Sequence, residues 1–181
     1  HDALQELATR YASARGAVSA QDLAWWAGLT AGEAKTGLRL ATESGQLIEC
    51  STSRDEKPAA LWVDPRLLDE SSHPGKDSWL LLPAFDEHLL GYQNRTPQLT
   101  PEHFDRIVPG RNGMFLATIV RDCRVVGTWK KGTRKGEGLI GTPLPAESLD
   151  DGDTHLQRRA EVWGAFHGLS DTRFGTAAAS A

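Results

Sequence analysis

Apolar residues in the first forty-five positions recur three and four apart, the period of helices that bury one face. Leu4, Leu7, Ala8, Tyr11 and Ala14 keep that spacing over residues 4–14, and Gly16 supplies a left-handed stop. Ser19-Ala-Gln-Asp22 and Thr30-Ala-Gly-Glu33 each match the capping box, in which a hydroxyl and a carboxylate satisfy the free amides of a helix start. The spacing therefore predicts one helix near Ala20 to Ala27, with Leu23 and Trp26 buried and Trp25 at an interface. A second follows near Ala31 to Ser44, with Ala34, Leu38 and Ala41 inward and Gly45 at its end. Two helices separated only by Gly28-Leu29 have the pattern of a helix-turn-helix. Short strands follow at Gln46 to Cys50 and Ala60 to Val63, around the polar stretch Ser51 to Pro58. Three helices and a hairpin describe a winged helix over residues 1–66.

The pattern then changes. Residues 67–77, rich in Pro, Ser and charge, read as a linker. A second domain over 78–181 opens with the continuous apolar run from Trp79 to Phe85, a buried strand that leads into a short helix from Asp86. Asp86 and Glu87 are adjacent carboxylates at a helix start, where capping explains them better than acid-base chemistry. Thr100-Pro101 marks a further helix start. Met114 to Val120, Val125 to Trp129 and Leu139 to Leu144 are strands joined by short loops, an antiparallel meander expected to curl into a small barrel. Thr154-His-Leu-Gln157 matches another capping box, opening a helix with Leu156, Ala160, Trp163 and Phe166 on one face and Gly168 at its end. Residues 176–181 read as a mobile tail. The fold class is α+β: a winged helix followed by an antiparallel β-barrel-like domain with flanking helices.

Composition narrows the function classes. The 181 residues are 39% hydrophobic and 24% charged, as in ordinary soluble proteins. No apolar run approaches the roughly 20 residues that span a bilayer, so a cytoplasmic protein without a membrane partner is expected. The start at His1 suggests a piece of a longer protein. Cys50 and Cys123 are far apart and read as inert small hydrophobes. Six histidines without tight spacing predict no metal. Gly136-Glu-Gly-Leu-Ile-Gly141 has dinucleotide-type glycine spacing, but prolines at 143 and 145 forbid the helix such a site requires, so no cofactor is expected. No Ser-centred nucleophile motif occurs, and no catalytic residue is assigned.

Charge is where chemistry emerges. The chain carries −4 overall, yet between His103 and Lys135 eight Lys or Arg face only Asp105 and Asp122, a local balance of +6. Lys130, Lys131, Arg134 and Lys135 crowd one glycine-rich turn, with Arg124 at the start of the same strand candidate. Such an arm suits a polyanion, with glycines 132, 136 and 138 allowing close backbone approach. A solvated lysine-rich turn is the competing reading. The second helix of the helix-turn-helix offers only Lys35 and Arg39, offset by Glu33 and Glu43, which favours a scaffold role at least as much as groove insertion.

Asp22-Leu-Ala-Trp-Trp-Ala-Gly-Leu29, the block from Leu81-Leu-Pro-Ala-Phe-Asp86 to Tyr92 with Arg95, and Arg124-Val-Val-Gly-Thr-Trp129 together resemble the winged-helix DNA-binding family of AlkZ-type DNA glycosylases. The three blocks spread over most of the chain in the family's order. The resemblance implies tandem winged helices with a C-terminal β-barrel, and excision of alkylated bases or unhooking of crosslinks by characterised members. It implies that this chain corresponds to the last winged helix and the barrel, with double-stranded DNA and the N-terminal domains of the same parent chain as partners. The family's catalytic Gln-apolar-Gln or Gln-apolar-Asp motif is absent here, since Gln46-Leu47-Ile48 and Gln98-Leu99-Thr100 both end differently. On that resemblance the chain is catalytically empty. The family's usual turn glycine is replaced at Asp122-Cys123. A noncatalytic winged-helix interaction module is the alternative.

Overall fold

A computed structural model describes residues 2–51, 59–69, 77–133 and 138–177. The chain divides into two compact units, one of residues 1–73 with 90–94 and one of residues 74–89 with 95–181.

The first unit is built on its helix caps. Helix α1 spans Asp2–Arg15, α2 Ala20–Ala27 and α3 Ala31–Glu43. The Ser19 hydroxyl accepts from the Asp22 amide while the Asp22 carboxylate accepts from the Ser19 amide, and Thr30 and Glu33 repeat the arrangement at α3. Gly28, at φ +65°, turns the chain between them. Small residues let α1 and α3 approach closely: a Cβ on Gly37 would lie 2.6 Å from the Leu4 carbonyl oxygen. Ala8, Tyr11, Leu23, Leu38, Leu47 and Trp62 fill the core. Strands β1 (Ile48–Ser51) and β2 (Ala60–Val63) pair antiparallel, and Val18 bridges to Trp62 through two backbone hydrogen bonds of 2.8 and 2.9 Å. Residues 52–58 lie outside the described residues, as do 70–76 of the expected linker.

Trp26 departs from expectation. It is 40% exposed rather than core, with its ring 5.1 Å from that of Tyr11 and the Arg15 guanidinium 4.9 Å from its centroid. Leu23 alone of the large apolar α2 residues is fully buried, because an eight-residue helix turns only one narrow stripe inward. The strip Leu90–Asn94 carries no periodic signal yet joins this unit. The hydroxyls of Tyr11 and Tyr92 donate to the carbonyls of Gly91 and Arg15, and the buried Asp22 carboxylate accepts the Gln93 and Asn94 amides at 2.8 and 3.1 Å.

The second unit is a five-stranded sheet. Strands β3 (Trp79–Leu82), β4 (Thr118–Arg121), β5 (Arg124–Lys131) and β6 (Leu139–Pro143) form an antiparallel ladder in chain order, and β7 (Phe174–Thr176) adds to β6 in parallel. Helices α4 (Glu87–Leu90) and α5 (Phe104–Ile107) are single turns, whereas α6 (Asp153–Phe166) packs on β3. Trp79, Ile119, Val126, Leu149 and Leu156 make the core. The expected closed barrel does not form: among the described residues the ladder ends at β3 and β7, and α6 covers apolar surface that closure would otherwise bury. Thr176, expected in a mobile tail, lies in β7, and the Ala177 amide donates to the Gly141 carbonyl at 2.8 Å. Residues 178–181 lie outside the described residues.

Helix α6 also rewrites its own signal. Gly152 caps it without a side-chain bond, so the Thr154–Gln157 box does not form. Gln157 turns instead to the chain returning after the helix, accepting from the Phe174 amide at 2.8 Å and donating to the Thr172 carbonyl at 3.1 Å. Phe166, expected inward, is 86% exposed because it lies in the last turn, beyond the sheet contact.

Candidate nucleic-acid interface

The β5–β6 hairpin carries Lys130 and Lys131 where β5 runs toward Gly132. Strand β5 is covered on both faces near its start, where Val125 and Val126 are buried, and on neither at its finish, where Lys130 and Lys131 are exposed. The ladder continues beyond both strands, with the Gly132 amide donating to the Gly138 carbonyl at 2.8 Å. Arg134 and Lys135 lie outside the described residues.

The two lysines point to opposite faces of the hairpin, as successive strand residues must. Trp129 and Lys131 face α6: the Trp129 ring meets Trp163 edge-on at 6.1 Å, its Nε1 donates to the Leu82 carbonyl at 2.8 Å, and the Lys131 ammonium lies 5.9 Å from the Trp163 centroid. Lys130 shares the other face with Thr128, which lines a shallow groove of about 120 Å³ together with Arg106 and Thr142. Among the described residues neither lysine pairs with a carboxylate.

The remaining cations of the basic stretch are arranged differently. Arg111 is bound to Asp105 at 2.7 Å, which holds that carboxyl below the usual carboxylate range. Arg121 reaches Asp77 at 2.9 Å and Asp151 at 3.4 Å while lying over the Trp79 ring. The +6 seen in sequence is therefore partly neutralised by Asp77 and Asp151, residues far from it in the chain. Arg124 is exposed but stands at the opposite end of β5, about 20 Å from Lys130 at the usual strand rise. It does not join the hairpin end.

Lys35 and Arg39 share one face of α3. Both line a groove of about 280 Å³ with Thr42, Glu43, Glu49 and Trp62, and Arg39 is paired with Glu43 at 2.5 Å. Two cations facing two carboxylates make this groove nearly neutral.

Asp86 caps α4, accepting from the His88 amide at 2.8 Å, in keeping with a structural reading of the Asp86–Glu87 pair. His88 sits 3.0 Å from the Cys123 carbonyl, and burial lowers its pKa against the opposing pull of that hydrogen bond and of Asp86. Asp122 and Cys123 form the two-residue β4–β5 turn at φ +47° and +68°, left-handed positions that glycine would occupy without strain. Both cysteines are free and exposed. Among the described residues no three His, Cys, Asp or Glu converge as a metal site, and no helix is long and apolar enough to cross a membrane.

Sequence reasoning missed Trp163 as part of this surface, assigning it to a buried helix face. The signal was its position in the last turns of α6, where the helix outruns the sheet.

Comparison with known proteins gives this geometry a family. The solved structure of Streptomyces sahachiroi DNA glycosylase AlkZ is similar over 97% of this chain, with a TM-score of 0.77 and 21% identity, a likeness of fold. The chain spans 46% of the length of that structure. No curated protein sequence matches. The family model described as DNA glycosylase AlkZ-like matches residues 1–166, and the chain thus belongs to the AlkZ-like DNA glycosylase family.

Proposed function

We propose that this chain supplies a DNA-holding surface of a repair glycosylase, with Lys130 and Lys131 meeting phosphates from the two faces of one hairpin. The single observation that carries this reading is the contrast in pairing: Arg39, Arg111 and Arg121 have carboxylate partners, whereas the two lysines at the hairpin end have none among the described residues. Exposed cations without a carboxylate partner among the described residues bind phosphate with little regard to sequence, so the hairpin would position DNA rather than specify it. Arg134 and Lys135 belong to the same proposed arm by sequence, and Arg124 would at most meet a more distant phosphate. Such an arm distributes binding energy away from the chemistry, which a glycosylase needs while it holds a deformed duplex.

In the same reading, α1–α3 with β1 and β2 are a winged helix. Lys35 and Arg39 would be its DNA contacts if α3 entered a groove. The charge-balanced α3 groove, together with Trp25 at 44% exposure, supports a second reading in which this unit packs on protein, the N-terminal domains of a longer parent being the natural partner.

The test is the salt dependence of duplex binding. Each neutralised phosphate contributes a slope near −0.9 in log affinity against log salt, so the double substitution Lys130→Glu/Lys131→Glu should flatten the slope by about two. An unchanged slope would remove the hairpin from the interface.

A further inference from the structure

A cleft of about 640 Å³ opens between the turn end of the β5–β6 hairpin and the loop that follows α6. Lys131, Gly132 and Thr133 form one wall, Ser170 and Asp171 the other, and Trp163 lies between them. Its volume falls in the range of small-ligand pockets.

The Trp163 ring is held from two sides. Trp129 meets it edge-on at 6.1 Å and 77°, and the His167 ring lies 4.2 Å away at 42°. An indole fixed in this way can stack a base on the surface that the Lys131 ammonium now lies over, at little entropic cost. The Lys131 ammonium stands 5.9 Å from the ring centroid, unpaired with any carboxylate among the described residues. The cleft's floor is closely packed: buried Thr172 sits against α6 at Gly164, where a Cβ would come within 1.9 Å of the Thr172 hydroxyl.

We propose that this cleft receives one unstacked nucleotide of the bound nucleic acid, its base lying on Trp163 and its phosphate on Lys131. Asp171 on the loop wall favours this orientation. Its carboxylate repels a phosphate toward the hairpin wall and can accept from an exocyclic amine, while Thr133 and Ser170 offer hydroxyls to a base edge. The inference rests on the DNA-binding reading of the hairpin and adds to it a site for a base that has left the helix.

The experiment compares a duplex carrying a single-nucleotide bulge with the fully paired duplex of the same length. Base-on-aromatic stacking predicts about tenfold tighter binding of the bulged duplex. Trp163→Ala should bring the ratio of the two affinities to one, and so should Ser170→Phe, which plugs the cleft from an exposed loop and keeps the test valid if loss of Trp163 unfolds α6. Equal binding of the two duplexes by the unsubstituted protein, or a ratio that survives both substitutions, would overturn the cleft while leaving the hairpin reading intact. If neither duplex binds, the hairpin reading fails, and titration with deoxynucleoside monophosphates decides the cleft alone. Saturable tryptophan quenching that Ser170→Phe removes would support it; absence of quenching would overturn it.

Discussion

The helical unit and the sheet unit use the same kinds of charged side chain to different ends. In the helical unit, Asp22 accepts four hydrogen bonds, from the Ser19 amide and hydroxyl and from the Gln93 and Asn94 amides. Asp64, 2% exposed, accepts from Ser13 and Arg66, and Arg10 and Arg39 each pair one helical turn away with Glu6 and Glu43. Most arginines described there are paired internally, while Lys35 has no carboxylate partner among the described residues. The sheet unit does the same at the β4 end, where Arg121 gathers three aspartates, but among the described residues Lys130 and Lys131 have no carboxylate partner at the other. A cation's neighbours, rather than its type or its local density in sequence, decide whether it is neutralised within its own unit.

The sharpest way to break this comparison is to remove a charge that should be structural. Asp22→Ala strips a buried carboxylate from four donors and should lower unfolding free energy by about 3 kcal/mol in urea titrations. A loss under 1 kcal/mol would mean the Leu90–Asn94 strip is not tied there. Asp64→Asn should cost about 2 kcal/mol at neutral pH by the same reasoning. The Arg66 guanidinium, followed by the Ser13 hydroxyl, holds the Asp64 carboxyl well below the usual carboxylate range. A depressed carboxyl stabilises above the unfolded-state pKa and ceases to do so as pH falls, so the gap between wild type and Asp64→Asn should close on acidification below about pH 4.

His88 gives the sheet unit a counterpart with opposite chemistry. Burial lowers its pKa, so the unfolded chain takes up the proton more readily, and stability should fall as pH drops below about 6.5. His88→Gln should flatten that part of the stability profile; an identical profile would show that the ring is solvated. At the tight β4–β5 turn, Cys123→Gly should raise stability by about 1 kcal/mol, because residue 123 holds φ +68°. The smallest stability effect belongs to the hairpin end. Lys130→Glu/Lys131→Glu should change unfolding free energy by no more than about 0.5 kcal/mol, the usual range for exposed substitutions.

How much of this was legible in the sequence follows the reach of each interaction. The capping boxes at Ser19 and Thr30 close within three residues, and both form as written. The third box matches the same pattern, but Gln157 finds Thr172 and Phe174, partners fifteen and seventeen residues away that no local rule contains. Trp26 and Phe166 fit their helical stripes, yet a stripe is buried only where another element covers it. The role of Leu90–Asn94 depends on Asp22 some seventy residues earlier, and the neutralisation of Arg121 depends on Asp77 and Asp151. The hairpin cations were visible as a cluster, and the divergence of Lys130 and Lys131 follows from strand alternation alone. The partnership of Lys131 with Trp163 required the fold.

The most direct measurement reverses charge in the two units and reads the salt slope of duplex binding for each. Lys130→Glu/Lys131→Glu should flatten the slope by about two, whereas Lys35→Glu/Arg39→Glu, an equal change of formal charge on α3, should flatten it by less than half as much. Equal effects, or a larger one from α3, would contradict the account.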